Sequence, residues 1–357
     1  MSWHSISLRP VPFSPGTYVL RIGRWSLRFD ARLIGHTLLL LAMALTVGIL
    51  SLKSGARPFT FAEITEAIFI DAPRRLHLPI IEWRMPRVVL ALLAGSSLGM
   101  AGAIFQSVSR NSLASPDILG FSTGAATGAL FVILLGTGGY YERAGAALLG
   151  GGMTAAVTYM LAWKGGIQGV RLVLVGIGIS SMLTSLNAWL VLKADLRLAI
   201  QAAVWQVGSL NTVNWRQVQH LGSALSVIVP CTFLLGRAMR QLEIGEDLAR
   251  SQGLRSEYVR ASLLASGIAL TAATTAIVGP IAFVALSAPQ LALRFLRLPG
   301  LRLAPSAAMG ALLLVSGDWF AQHLFAPRLI PVGIVTICIG GAYLVWLLAG
   351  ETRRKQS

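Results

Sequence analysis

A guanidinium carries its N–H donors in a fixed fork that can grip a carboxylate with two bonds, which an ammonium cannot. Arg84 and Arg87 place two such forks at the head of an apolar run. Lys53, Arg57, Arg74 and Arg75 crowd the same stretch, against Glu63, Glu66, Asp71 and Glu82. This reads either as a solvated loop with interfacial anchors, or as a surface that docks an acidic partner or favours an anionic ligand. A second charged constellation is RAMRQLEIGEDLARSQGLRSEYVR at 237–260, where Glu243, Glu246 and Asp247 stand beside Arg250 and Arg255. Gly245 and Gly253 break it, so the pattern fits two short helices separated by a glycine. That is either a solvated connector or an elbow inserted into a groove on a partner.

Other chemistry is excluded by residue type. No Gly-Lys-Ser/Thr triplet exists, so the chain has no Walker A loop and is not its own nucleotide motor. Asp117 and Asp318 fall near predicted span ends, and Arg110 at one. Ion-coupled carriers need buried ionisable groups or broken helices at mid-membrane. Carboxylates are missing there, although the Gly279-Pro280 break keeps that reading open. The five histidines are scattered without ligand spacing, and Cys231 and Cys338 lie inside apolar runs. No metal site, disulfide framework or catalytic cluster is expected.

These residues must be positioned by membrane helices. The chain is 55% hydrophobic and 12% charged, with a mean hydropathy of +0.69, against about 25% charged for soluble domains. A crossing needs about 20 apolar residues. Ten predicted spans cover 34–52, 86–108, 118–135, 144–163, 171–192, 217–236, 259–278, 280–293, 304–321 and 331–349. Residues 1–33, with five arginines and three prolines, read as a basic cytoplasmic tail, and 351–357 as a second short one. With the N-terminus inside, 19 of the 30 Lys and Arg fall on the cytoplasmic side and 11 outside. This bias puts both termini in the cytoplasm. Four-residue spacings at Gly95/Gly99 and Gly120/Gly124/Gly128 predict close helix packing. The fold class is therefore an all-α polytopic membrane protein.

Five ordered segments resemble the permease family of bacterial iron–siderophore and vitamin B12 ABC importers (FecCD-like). They are RMPR at 84–87 leading through Gln106, Arg110-Asn111, Pro116 and Leu119-Gly120; WQVGSL at 205–210, containing Gly208; GEDLARSQGL at 245–254; GPIAFVALSAPQLALR at 279–294, containing Gly279, Pro280 and Pro289; and LIPVGIVTICIGG at 329–341, containing Pro331 and Gly333. The likeness covers residue 34 onward and is nearest to the branch that carries ferric catecholates of the enterobactin type. Departures are Ser112 for a usual proline, Gln290 for a histidine, Gln252 for a leucine and Ala285 for a glycine. Gln322 stands where the B12 permease has a docking arginine.

The resemblance implies a B12-permease-like fold with ten spans in 34–350, in the bacterial inner membrane. It implies a non-catalytic subunit paired with a homologous permease, as a heterodimer or homodimer. Two ATP-binding cassette subunits would use ATP and Mg below, and a periplasmic siderophore-binding protein would dock above. Arg84 and Arg87 would bind carboxylates of that protein. Glu243, Gly245, Glu246, Ala249 and Gly253 would form the ATPase coupling loop. The iron would stay in its chelator, with no cofactor or metal ligand on this chain. Alternatives are a permease for another ferric siderophore, heme or cobalamin, or an ion-coupled secondary transporter.

Overall fold

The computed structural model describes the chain except residues 1–5, 11–16, 23–24, 56, 70–73, 118–119, 136–138, 164–168, 298–299, 325–329 and 357. Asp71, Leu119, Lys164 and Arg328 of the sequence reading fall outside the described residues. So do the side chains at 6–29, 74, 169, 246, 344 and 346–356.

The body is helical. Its elements are α1 Ala31–Lys53, α2 Phe61–Phe69, α3 Arg74–His77, a π-helical turn Leu78–Arg84, α4 Met85–Ser109, α5 Phe121–Leu134, α6 Tyr140–Ala162, α7 Gly169–Lys193, α8 Leu196–Val207, α9 Trp215–Ile244, α10 Glu246–Ser251, α11 Ser256–Val278, α12 Val284–Leu296, α13 Leu303–His323 and α14 Val332–Gln356. Among the described residues, seven helices are long and apolar enough to cross a membrane. Three shorter apolar helices among the described residues, Phe121–Leu134, Val284–Leu296 and Val332–Tyr343, stand at the remaining predicted spans.

Three boundaries move for local reasons. The sixth span runs on to Ile244, so the elbow holds one short helix, α10, rather than two. The eighth starts at Val284, because Gly279 (φ +78°) and Phe283 (φ +70°) keep the segment between them out of a helix. The N-terminal segment, expected as a tail, contains an antiparallel sheet: β1 Ile6–Pro10, β2 Thr17–Ile22 and β3 Trp25–Asp30, in the order β1-β2-β3. Asp30 ends β3 and also caps α1, its carboxylate accepting from Arg32 N (3.0 Å) and Leu33 N (3.3 Å).

The axis of the bundle is α4, which packs against α13, α11, α12 and α9. Small residues make this possible. A Cβ built on Gly95 would lie 2.4 Å from Gly310 O, one on Gly99 2.1 Å from Ser306 O, and one on Gly102 1.7 Å from Ala285 O. Likewise α5 rests on α6, with a Gly128 Cβ 2.0 Å from Ala146 O. Backbone cannot yield as a flexible side chain can. Gly102→Val is therefore expected to destabilise the protein by at least about 1–3 kcal/mol, the usual cost of overpacking. Thermal unfolding in detergent checks this; an unchanged midpoint would mean that α4 and α12 do not touch there.

Candidate functional site

One end of the bundle carries Arg84 and Arg87. Arg87, in the first turn of α4, donates from Nε to both Asp318 oxygens (3.1 and 2.9 Å) and from Nη2 to Oδ1 (2.8 Å). Asp318, on α13, is 1% exposed. Gln322, one turn later, donates to Asp318 Oδ2 (2.8 Å) and reaches Ser51 Oγ on α1 at 3.5 Å. Arg84 donates to Leu52 O and Arg57 O, both 2.7 Å, and lies over the Phe59 ring. Trp319 Nε1 donates to Ser54 Oγ (2.9 Å). Both guanidiniums are thus engaged within the chain, stitching the end of α1 to the start of α4 and the end of α13. The fork that suits a partner's carboxylate is filled, in Arg87, by this protein's own. Arg57 and Arg75, close to them in sequence, are exposed.

The family-motif segments meet at the same end. Ser209 N donates to Val278 O (2.9 Å), and Gly333 N to Gly208 O (3.3 Å). A Cβ on Gly333 would sit 1.6 Å from Val207 O, and one on Gly279 2.7 Å from Trp205 O. Gly208 has φ +73°, where only glycine is at ease. Pro280 lies against Gly208, and Pro331 leads into α14, accepting from Ile334 N. The three motifs at 205–210, 279–294 and 329–341 therefore form one backbone crossing.

Beside this crossing opens a cavity of about 710 Å³. Arg143, Arg216, Tyr140, Tyr141, Trp205 and Asn211 are among its walls, and none of its sixteen lining residues is acidic. Asn214 and Gln217 form a reciprocal cap that fixes the start of α9 (2.9 and 3.3 Å). Trp215 Nε1 donates to Ile81 O (2.8 Å), tying that start to the π-helical turn. Tyr140 donates to Ile277 O (3.1 Å), and Tyr141 meets His220 edge to face. Cations, aromatic rings and amides without a carboxylate suit an anionic, ring-bearing ligand. Sequence reading marked Trp205 and Ser209 by their motif but missed this cavity, because its other walls come from α6, α8, α9, α11 and the connection at 211–214, which no single segment of the sequence brings together.

Toward the other end, Gln106 donates to Leu286 O (2.8 Å) and accepts from Gln290 (2.7 Å), so the glutamine at 290 completes a buried amide chain between α4 and α12, next to the buried Pro289. Arg110 closes α4 in a left-handed conformation (φ +50°) and donates to Leu242 O (3.0 Å). Asn111 accepts from Leu113 N (2.9 Å), Pro116 is buried, and Gly120 (φ +83°) starts α5. Asp117 accepts from Ser122. Burial pushes its carboxyl above the ordinary aspartate range, while hydrogen bonds from Ser122 and the Phe283 backbone pull the other way.

The elbow follows directly. Glu243 sits among Ser107, Arg302 and the Leu301 backbone. Gly245 has φ +152° and ψ +145°. In α10, Ala249 is buried and its carbonyl accepts from Leu254 N (3.0 Å), while Gly253 N donates to Arg250 O (2.9 Å). These two bonds end the helix at Gly253, φ +83°. Gln241 donates to Gln252 (3.3 Å), holding α10 to α9. The Glu246 side chain lies outside the described residues. Ile244, Leu248 and Tyr258 are exposed around the elbow.

Comparison with known proteins adds independent findings. The FecCD transport family pattern matches residues 40–350. The ferric enterobactin transport system permease protein FepG of Escherichia coli (strain K12) is 42% identical, over 91% of this chain and 98% of its own length. The achromobactin transport system permease protein CbrC of Dickeya dadantii (strain 3937) is 36% identical, over 92% and 95%. The iron-uptake system permease protein FeuC of Bacillus subtilis (strain 168) is 33% identical, over 87% and 96%. A solved metal-chelate type ABC transporter in an inward-facing conformation shares the fold, with a TM-score of 0.75 at 22% identity, over 89% of this chain and 99% of that one.

Proposed function

The chain belongs to the FecCD transport family, and on that footing we propose that it is the permease subunit of an ATP-driven importer that takes a ferric siderophore, of the anionic catecholate class, across the inner membrane. The arginine end faces the periplasm and the elbow end the cytoplasm, in keeping with the distribution of Lys and Arg. The substrate class is carried by one observation: the cavity at the arginine end has two guanidiniums, three aromatic rings and no carboxylate. The name of the FepG relative, which prints ferric enterobactin, supports it.

A homologous permease completes the pathway, covering part of the exposed apolar faces of α7 and α9. Two ATP-binding subunits receive the elbow. The six-residue α10, exposed between two glycine joints and ringed by Ile244, Leu248 and Tyr258, has the form of an insert for an apolar groove. A binding protein docks over the rim. Arg84 and Arg87 hold that rim in shape, and Arg57 and Arg75 present charge to the docked carboxylates.

The test is uptake of ferric catecholate into proteoliposomes containing this chain, its sister permease, the ATPase and the binding protein. Uptake is expected to require ATP. Arg143→Glu and Arg216→Glu are each expected to cut it at least about tenfold, since a like charge facing the ligand costs several kcal/mol, with basal ATP hydrolysis unchanged. Uptake driven by an ion gradient without ATP would support a secondary transporter instead.

A further inference from the structure

The N-terminal sheet lies outside the segment that the family pattern matches, and we infer that it is a membrane-surface anchor whose apolar face beds into the headgroup region of anionic phospholipid where α1 enters the bilayer. Neighbouring residues along a strand alternate between faces, and the register of this sheet keeps that alternation in phase across all three strands. The cross-strand pairs Ile22–Trp25, Leu20–Leu27 and Tyr18–Phe29 fall on one face, and β1 extends each row with Ile6, Leu8 and Pro10. That face is wholly apolar and has aromatic residues at both ends. The opposite face holds the pairs Arg9–Val19, Val19–Arg28 and Arg21–Ser26.

Two observations name the occupant. The first is continuity with the bilayer: β3 passes into α1 at Asp30 with no linker, and β2 and β3 both lie against α1. The helix is an apolar span whose Ile34, Leu38 and Leu39 are exposed. A six-residue strand reaches only about 20 Å, so the sheet cannot leave the surface from which α1 departs. The second is charge. Residues 1–33 hold five arginines against one acid, Asp30, and anionic leaflets attract such segments. An amphipathic element beds its apolar face about 5–10 Å into the headgroup–acyl boundary. The sheet backbone then sits at headgroup depth and its basic face at the outer phosphates. The inference needs α1 to be a span, but not which side the N-terminus occupies, and its readout is independent of transport.

The test uses the full chain in lipid nanodiscs, with Cys231 and Cys338 replaced by serine. A bimane label goes on Leu20→Cys or, on the other face, Val19→Cys, and the quencher is a lipid spin-labelled near the headgroup. The Leu20 label is expected to be quenched and the Val19 label spared. The docked-to-free ratio should fall about fivefold for each arginine changed to glutamine at Arg9, Arg21 and Arg28, and fall again in discs lacking phosphatidylglycerol. Amide exchange over 17–30 in unlabelled protein guards against a label that disrupts the sheet, and should slow when phosphatidylglycerol is present. Equal quenching of both labels, or no dependence on lipid charge, would overturn the inference. So would protection that appears only when the ATPase subunits are added, which would make the occupant a protein.

Discussion

Asp318→Ala is expected to destabilise the protein by about 3–5 kcal/mol, the range for removing one partner of a buried ion pair. The cause is the charge left behind. Arg87 is held by three donor–acceptor contacts to Asp318, and Gln322 donates to the same carboxylate. With the acid gone, a guanidinium remains at the junction of α1, α4 and α13 with no anion to compensate it. Arg87→Met should cost a similar amount, now because Asp318 is orphaned. The double variant Arg87→Met/Asp318→Leu should recover most of the loss, since an apolar pair of similar volume can replace a buried ion pair at little cost. Unfolding midpoints of the three variants in detergent decide the matter. If Arg87→Met left stability untouched while abolishing capture of the binding protein, the arginine would be a docking donor and not a clamp within the chain.

Gly253→Val is expected to separate ATP hydrolysis from uptake. Among the described residues nothing stands within 4 Å of a Cβ at Gly253, so space is not the obstacle. The obstacle is φ +83°, at the end of α10, where a β-branched residue is a genuine outlier. The left-handed conformation costs an ordinary residue about 1–2 kcal/mol, enough to unwind a six-residue helix and misplace Leu248. Uptake should fall at least about tenfold with this misplacement, as 1.4 kcal/mol is a factor of ten, while hydrolysis by the assembled ATPase continues. Gly253→Asn should retain most activity, because asparagine tolerates this region. At Gly245 the same rescue should fail, since φ +152° with ψ +145° is close to glycine-only territory. Full uptake by Gly253→Val would remove the elbow from the coupling path.

Much of the fold was legible because apolar runs and their polar breaks are a one-dimensional signal. Among the described residues an apolar helix stands at each predicted run, seven of them long enough to cross a membrane and three shorter, and Gly95 and Gly99 do bring α4 and α13 into backbone contact. The elbow was legible as a charged, glycine-broken loop, though the continuation of α9 to Ile244 was not, since charge obscured its helical period. The amphipathic α8 was overlooked because twelve residues beside Asp195 and Arg197 resemble a connector. The sheet was hidden by Pro10, Pro12 and Pro15 and by its arginines, although TYVLRI and WSLRFD alternate as strands do. The arginine site was half legible. Residue type marked Arg84 and Arg87, but their partners are contributed from 27 to 231 residues away. Only depth along the membrane normal could have paired Arg87 with Asp318, and a sequence read along the chain does not display depth.

The most direct measurement is iron uptake by a strain lacking this chain, given iron-55 as ferric catecholate, ferric hydroxamate or ferric citrate, and labelled cobalamin separately. The expected result is loss of ferric catecholate uptake alone, restored by the wild-type chain and not by Arg216→Glu. Loss confined to hydroxamate, citrate or cobalamin would contradict the account, and so would catecholate uptake that persists undiminished without the chain.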